Sequence, residues 1–401
     1  MICCCFGRNG FQKGLPDVYD EENWSYLQKQ HGALRNYLVK QEIGDGAFSK
    51  VLSAEHQDTG EEIALKVVNR KAPRLKPSHW EILKLEAWAL ETCRHPHVVD
   101  LQDCIEDQNA IVMVLELLKG GELLQHIKRV EKLSETQAKN LFRQVAQAVA
   151  HIHSKGLMHR DLKLENVLFV DPPREVGDEV GTVKLIDFGM AARYDPATPI
   201  RQAMGTAGYL APECCHSVPH SPAMDMWSLG MMLFVVLCGR MPYSHLQIEK
   251  LLYPEIDIRC SAGFKSASFQ SLSRPAKDLV LRLLDRNPRN RATADEVLQH
   301  PWLKIGEAEA EGAASVAADA AGLPDSSEDS FVPADSSSSS AQDASLLLKG
   351  VATMNEAGGE VPLKPRVGSD GAAASFAEPD EETEMLSTAA VCVDVVTDRG
   401  Q

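Results

Sequence analysis

The sequence predicts an α+β fold in two lobes, a small β-rich lobe followed by a larger helical one. Two patterns carry this reading. From Tyr37 to Leu117 short β-rich runs are bounded by turn signals, and after Gly121 the apolar periodicity becomes mostly helical. A third observation bounds the folded part: almost all of the net charge lies near the C-terminus.

Taken in order, residues 1–36 form a mixed extension without a clear period, opened by the triplet Cys3, Cys4 and Cys5. The runs VLSAE, EIALKVV and AIVMVLEL, with GDG and DTG turns, read as strands, and the stretch after Pro77 reads as a helix. Ser78 and Glu81 have capping-box spacing at its start. A sheet-rich lobe followed by a helical lobe implies a cleft between them, where ligands commonly sit. The longest apolar run, around Leu229 to Cys238, is about half of the roughly 20 residues that cross a bilayer, so it reads as a core helix. Residues 304–401 are Ser/Ala-rich, include Ser336–Ser340 and one apolar island, SLLLKGVATM, and have too few aromatic residues to offset ordering entropy by burial. The expected organisation is an extension over 1–36, a folded two-lobed domain over 37–303 and an acidic disordered tail over 304–401.

The chain has 401 residues, a net charge of −16 and a sequence pI near 5.3. From Ile305 onward 19 acidic residues stand against 4 basic ones, so that stretch carries −15 and the remainder only −1. With 44% hydrophobic and 24% charged residues the chain is neither collagen-like nor wholly disordered. Neither part is basic, so charge offers no argument for nucleic-acid binding. No signal-peptide pattern opens the chain, and ten cysteines follow no zinc or disulfide spacing, which points to reduced thiols and a cytoplasmic location. Two readings of the cysteine triplet stay open: S-palmitoylation, which would attach the protein to membranes through two or three acyl chains, and exposed thiols in an extended end. Membrane fractionation of a Cys3/Cys4/Cys5-to-Ser variant separates them.

Four motifs carry chemistry. IGDGAFSKV (Ile43 to Val51) puts glycines between strand-like runs, where backbone N–H groups can approach phosphates; by itself it equally reads as a hairpin turn. Lys66 follows fifteen residues later, mid-strand, and Glu86 shares a helix stripe with Ile82 and Leu90, where a buried carboxylate needs a cation such as Lys66; by themselves both equally read as solvent-facing residues. Then come HRDLKLEN (His159–Asn166), DFG (Asp187–Gly189) and APE (Ala211–Glu213). On these motifs, in this order, the chain resembles the eukaryotic protein kinases over roughly residues 37–303.

The resemblance implies a bilobal kinase fold, ATP and Mg2+ as cofactors, and a role for each matching residue. Asp161 would orient the substrate hydroxyl and take its proton, with Lys163 beside it. Asn166 and Asp187 would hold Mg2+, and Lys66, fixed by Glu86, would contact the phosphates. The phosphate-covering loop would comprise Ile43, Gly44, Asp45, Gly46, Ala47, Phe48, Ser49, Lys50 and Val51, with Ser49 in place of the third glycine. Val51, Ala64 and Leu168 would wall the adenine, Leu115 would be the gatekeeper, and Glu116 to Leu118 the hinge. Glu213 with Arg291, and Asp225, would be structural.

Lys163 and Thr206 resemble serine/threonine kinases, and LELLKGGELLQHI together with RNPRNRATADEVLQHPWL resembles the calcium/calmodulin-dependent group. KIGEAEAEGAA after Trp302 is not the basic amphipathic helix that calmodulin binds, and no EF-hand loop is present, so calcium control would have to come from a partner. Glu122 and Glu165 match positions that bind basic residues of protein substrates, which predicts Arg at −3; the alternatives are a ribose contact for Glu122 and a solvated Glu165. Arg160 usually accompanies a phosphorylated loop, but the matching position is Gln202, with Thr198 the nearest alternative, which predicts activity without loop phosphorylation. With Lys66, Glu86, Asp161, Asn166 and Asp187 all present, an active enzyme is expected over a catalytically silent scaffold.

Overall fold

The computed structural model describes residues 24–25, 28–29, 32–45, 49–69, 77–106, 110–174, 177–201, 204–216, 218–243 and 258–304. Cys3, Cys4, Cys5, Gly46, Ala47, Phe48, Gln202 and everything from residue 305 onward, including Ser336–Ser340 and SLLLKGVATM, lie outside them.

Strands β1 (Tyr37–Asp45), β2 (Ser49–His56), β3 (Glu62–Asn69), β4 (Leu101–Glu106) and β5 (Ala110–Glu116) make one antiparallel sheet in the order β1-β2-β3-β5-β4. Successive side chains of a strand face opposite ways, and β3 and β5 use this twice. Ile63, Leu65, Val67, Ala110, Val112 and Val114 fill a small cluster with Leu34 and Leu52 on one face. Val68, Ile111 and Met113 join the main core on the other. Lys66 has the parity of Val68 and Ala64, so its side chain must leave on the main-core side; a one-residue slip would send it to the other face.

Helix α1 (Pro77–Thr92) packs Trp80, Leu83, Ala87 and Leu90 into that core, with Glu86 buried on the same face. The Ser78 side chain of the capping box expected with Glu81 lies outside the described residues. Pro77 is already helical, which puts Ser78 inside the first turn, and Glu81 is exposed. A proline has no N–H to leave unpaired and a φ suited to the first helical position. Ile82 is only half-buried, so the buried stripe runs through Leu83 rather than Ile82.

The helical lobe contains α2 (Leu123–Val130), α3 (Glu135–Ser154), α4 (Ala223–Cys238), α5 (Ala262–Lys265), α6 (Ala267–Gln270), α7 (Arg274–Leu283), α8 (Ala294–Leu298) and α9 (Pro301–Lys304). Two short ribbons, β6 (Leu157–Met158) with β9 (Ala192–Arg193) and β7 (Val167–Phe169) with β8 (Val183–Leu185), carry the loops of the cleft. Ser134 and Gln137 close a reciprocal capping box on α3, whose buried stripe includes Leu141, Phe142, Val145, Val149 and Ile152. Residues Met224–Cys238 of α4 are all buried, which explains an apolar run without helical period. No helix among the described residues is long and apolar enough to cross a membrane. Gly239 ends α4 at φ 75°, and a Cβ there would lie 2.4 Å from the Glu131 carbonyl oxygen, so only glycine fits.

A histidine cluster joins the α1–β4 connection to α3. The His95 ring stacks on His151 at 5.1 Å and lies 5.6 Å from His97, while His95 Nδ1 accepts the His97 N–H at 3.1 Å. Burial first, then the charges of His151, His97 and Lys184, push the His95 pKa down to about 4; burial also lowers those of His97 and His151. A histidine depressed in the fold stabilises it above the ordinary value near 6.5 and loses that contribution as pH falls toward 4. Thermal melts should therefore show Tm falling between pH 6.5 and 4, less steeply in His95→Asn; parallel curves would rule the cluster out as the cause.

Candidate active site

The β3 parity and the α1 stripe bring Lys66 and Glu86 together with Nζ–Oε1 at 2.5 Å, and Asp187 Oδ1 lies 3.7 Å from the same ammonium. Lys66 is 6% and Glu86 2% exposed. Burial raises the Glu86 pKa and the Asp187 charge adds to this, while Lys66 opposes both. The ammonium is thus what makes a charged Glu86 tolerable at this depth. Asp187 has φ 63°, and its Oδ1 accepts the Gly189 N–H at 3.2 Å. A Cβ on Gly189 would lie 3.1 Å from that oxygen, so the glycine keeps the turn tight. Phe188 is buried against the His159 ring at 4.9 Å.

The 159–166 loop hangs on Asp225. Buried in α4, Asp225 accepts the N–H groups of His159 and Arg160, both at 2.8 Å, and bonds His153 Nε2 at 2.9 Å. Burial would raise its pKa, but these donors prevail and lower it. With the loop clamped, Arg160 takes φ 65° and its side chain turns beneath the 187–213 segment. Asp161 then becomes an acceptor for four groups. Oδ1 takes Thr206 N at 3.0 Å and Thr206 Oγ1 at 2.8 Å, while Oδ2 pairs Lys163 Nζ at 2.8 Å and takes Asn166 Nδ2 at 3.3 Å. Lys163 Nζ also donates to Thr206 Oγ1 at 3.0 Å, so four groups of three residues, from two segments, hold one carboxylate. Gly205 permits this approach: at φ 126° its Cβ would lie 2.9 Å from the Arg160 carbonyl oxygen.

The apolar positions expected around an adenine ring are brought together by strand pairing. Ala64 pairs with Leu115 across β3 and β5, Val51 pairs with Lys66 across β2 and β3, and Leu168 bridges Glu122. Glu116 does not offer its carboxylate to the cleft, since Oε1 accepts the Asp100 N–H at 2.7 Å and pairs Lys184 Nζ at 2.5 Å. In the covering loop Lys50 is tied to Glu42 at 2.7 Å, Ser49 is buried, and Ile43 is 45% exposed. Asp187, Asn166 and Asp161 together offer carboxylate and amide oxygens, the hard donors that suit Mg2+. Among the described residues Asp187 Oδ2 has no hydrogen-bond partner. With the Lys66 ammonium alongside, this donor set fits a magnesium-bound nucleoside triphosphate.

Two acidic side chains, Glu122 beside Leu168 and Glu165 beside Asp161 and Lys163, lie within electrostatic reach of each other. Glu122 is exposed at the N-cap of α2 and makes no capping bond. Glu165 is largely buried, and its Oε2 has no hydrogen-bond partner. Burial raises the Glu165 pKa, and Asp161 and Glu122 add to the rise against Lys163.

Four partners were not legible as such in the sequence: His153 for Asp225, Lys184 for Glu116, and Met190 and Met204 for Arg160. Arg160 Nε donates to the Met190 carbonyl at 2.7 Å, and Nη2 faces Met204 Sδ at 3.6 Å. Burial lowers the Arg160 pKa. Among the described residues no carboxylate pairs with this guanidinium. Only His153 had a usable signal, a polar residue on the inner side of α3 just before the loop it supports. Thr198 is exposed and donates to Asp195 Oδ2 at 2.8 Å. Beneath the segment, Arg291 grips Glu213 through two bonds of 2.6 and 3.0 Å.

Residues 37–303 match the family model of the protein kinase domain. The calcium/calmodulin-dependent protein kinase type II of Caenorhabditis elegans is 35% identical over 268 residues, which cover 67% of this chain and 36% of that protein. The type 1B enzyme of Rattus norvegicus is 34% identical over 267 residues, covering 67% of this chain and 75% of the relative. The type 1 enzyme of Macrobrachium nipponense is 33% identical over 276 residues, 69% of this chain and 77% of the relative.

Proposed function

The chain belongs to the protein kinase family as an ATP- and Mg2+-dependent serine/threonine kinase, and we propose that it acts on proteins carrying arginine three residues before the phosphorylated hydroxyl. The observation that carries the proposal is the pair Glu122 and Glu165, two carboxylates within electrostatic reach of each other, one with a buried oxygen lacking a partner. A guanidinium is the group that satisfies such an oxygen while supplying the opposite charge.

In this reading Asp161 would orient the acceptor hydroxyl and take its proton as the new bond forms. Lys163, held between Asp161 and Thr206, would hold the carboxylate in place and offset charge near the transferred group. Lys66 would hold the phosphate chain in line, and Glu86 would hold Lys66. Bound ATP-Mg2+ supplies the phosphoryl group and the metal charge that neutralises it; Asn166 and Asp187 would be the ligands. Arg160 already has Met190 and Met204 as partners, which favours a segment that keeps its working shape without loop phosphorylation. The relatives' names attach calcium and calmodulin to them; for this chain we read no such requirement, because the segment after Trp302 is acidic.

One assay tests all of this: phosphate transfer to a positional peptide array by phosphatase-treated enzyme, with and without calcium-calmodulin. Arginine at −3 should raise the rate by about tenfold or more, the equivalent of one charge-assisted bond. Glu165→Gln should shrink that gain. Equal rates with Ala and Arg at −3 would sink the specificity. Loss of activity on phosphatase treatment, or a need for calmodulin, would sink the corresponding part.

A further inference from the structure

Arg193 lies on β9 and Trp88 on α1, and the guanidinium carbon stands 4.1 Å from the centre of the indole ring. Among the described residues no carboxylate and no hydrogen bond holds that guanidinium, so the indole face is its partner. Trp88 is half-buried and packs on the main core, which keeps the ring in one place, whereas Arg193 is exposed and reaches it from outside. We propose that Trp88 and Arg193 are positioning residues for phosphoryl transfer: their contact fixes the roll of α1, and so the presentation of Glu86 to Lys66. The inference rests on the roles given to Lys66 and Glu86 above and not on the arginine preference.

Each partner belongs to a segment that carries groups of the active site. Arg193 pairs with Leu157 across the β6–β9 ribbon, and the Tyr194 N–H donates to the Gly156 carbonyl at 2.8 Å. β6 runs straight into the loop that holds Asp161, and only Met190 and Ala191 separate β9 from Gly189 of the Asp187 turn. The ribbon therefore moves with both. Trp88 stands two residues after Glu86, which at 3.6 residues per turn places the two side chains about 160° apart around the helix. Contacts on two sides of a helix oppose rotation about its own axis, which a single contact does not.

Glu86 needs that restraint. Its Oε1 is 2.5 Å from Lys66 Nζ, while Oε2 is buried without a hydrogen-bond partner on the side of Gly189, where a Cβ would lie 3.7 Å from it. An ion pair to a flexible four-carbon side chain tolerates a rolling helix, and a rolled α1 would draw the ammonium away from the phosphates. A guanidinium over an indole adds a restraint of definite direction, because the cation is attracted to the face of the ring. At an exposed site such a contact shifts an equilibrium about two- to fivefold.

Steady-state kinetics of the full chain, with ATP and the best peptide of the array varied in turn, tests this beside a thermal melt. Arg193→Gln and Trp88→Leu should each lower kcat/KM for ATP about two- to fivefold and leave KM for the peptide unchanged. Arg193→Lys, which keeps the charge, and Trp88→Phe, which keeps a ring, should recover part of the loss. The double variant of Arg193→Gln with Trp88→Leu should be no slower than either single one, because both remove the same contact. In a Glu86→Gln background, Arg193→Gln should leave the residual activity as it is. Losses that multiply in the double variant, or that persist in full in the Glu86→Gln background, overturn the inference. So does a fall in Tm with kinetic constants unchanged, which is all that a packing role predicts. A rise in peptide KM would place Arg193 in substrate binding and overturn it as well. If Glu86→Gln itself keeps full activity, the roles of Lys66 and Glu86 fall and the inference with them; a large loss there beside an unaffected Arg193→Gln sinks the inference alone.

Discussion

Asp161→Asn should lower kcat on a peptide substrate by roughly 10²- to 10⁴-fold, the range spanned by a general base, with far less change in KM for ATP. The geometry gives the reason. All four partners of the carboxylate donate to it: Thr206 N, Thr206 Oγ1, Lys163 Nζ and Asn166 Nδ2. An asparagine can satisfy one side of that set, but its NH2 group must then face another donor, and Lys163, 2.8 Å from Oδ2, loses its anionic partner. The variant therefore loses both the proton acceptor and the geometry that aims it. Steady-state kinetics with a thermal melt as control checks this: a folded Asp161→Asn enzyme within tenfold of the parent would overturn the assignment.

Arg291→Ala should have the largest effect on stability. Its guanidinium bonds both Glu213 oxygens, the Ala223 carbonyl at 2.5 Å and the Asp285 carbonyl at 3.0 Å, and lies 5.2 Å from the centre of the Trp227 ring. The side chain is 0% exposed, so truncation leaves the Glu213 charge and two main-chain acceptors without their partner. Breaking a buried pair of this kind costs about 3–5 kcal/mol, which for a domain of this size corresponds to a fall in Tm on the order of 10 °C. Exposed pairs are a useful contrast. Glu62 is held by Lys119 and Lys40, which lower its pKa to about 2, yet all three side chains are at least a third exposed and solvent screening leaves such pairs little net effect. Lys119→Ala should therefore leave the melt nearly unchanged. A Tm loss for Arg291→Ala no larger than that for Lys119→Ala would refute the ranking.

How far the residues spoke for themselves depended on the kind of contact. Lys66 and Glu86 were recognisable as partners because a lysine in a strand and a carboxylate on an apolar helix stripe each have a problem that the other solves. Asp161, Asn166 and Asp187 were recognisable through HRDLKLEN and DFG, the motifs that carry the resemblance to the protein kinases, and the resemblance implied their roles. Glu116 was harder: by position it belongs to the cleft, but its carboxylate is bound by Asp100 and Lys184, and Lys184 is distant in sequence. The helix begins at Pro77, so the capping pattern of Ser78 and Glu81 falls within its first turn. Arg160 could be assigned a need for an acceptor but not its acceptors, which are a carbonyl and a thioether contributed by the segment folded over it.

The sequence by itself determined the order of the lobes, the acidic character of the region after 304 and the chemical types in the cleft. These depend on side-chain period, composition and spacing, all of which are local. Only the tertiary structure decided which donors surround Asp161, that Glu165 has a buried oxygen without a hydrogen-bond partner, and that Asp225 is anchored by His153 as well as by two backbone amides. Those facts depend on which long-range segments meet and on how far each group is removed from water. Burial changes the energy of a charge by more than any neighbour along the chain can, and burial belongs to the folded molecule.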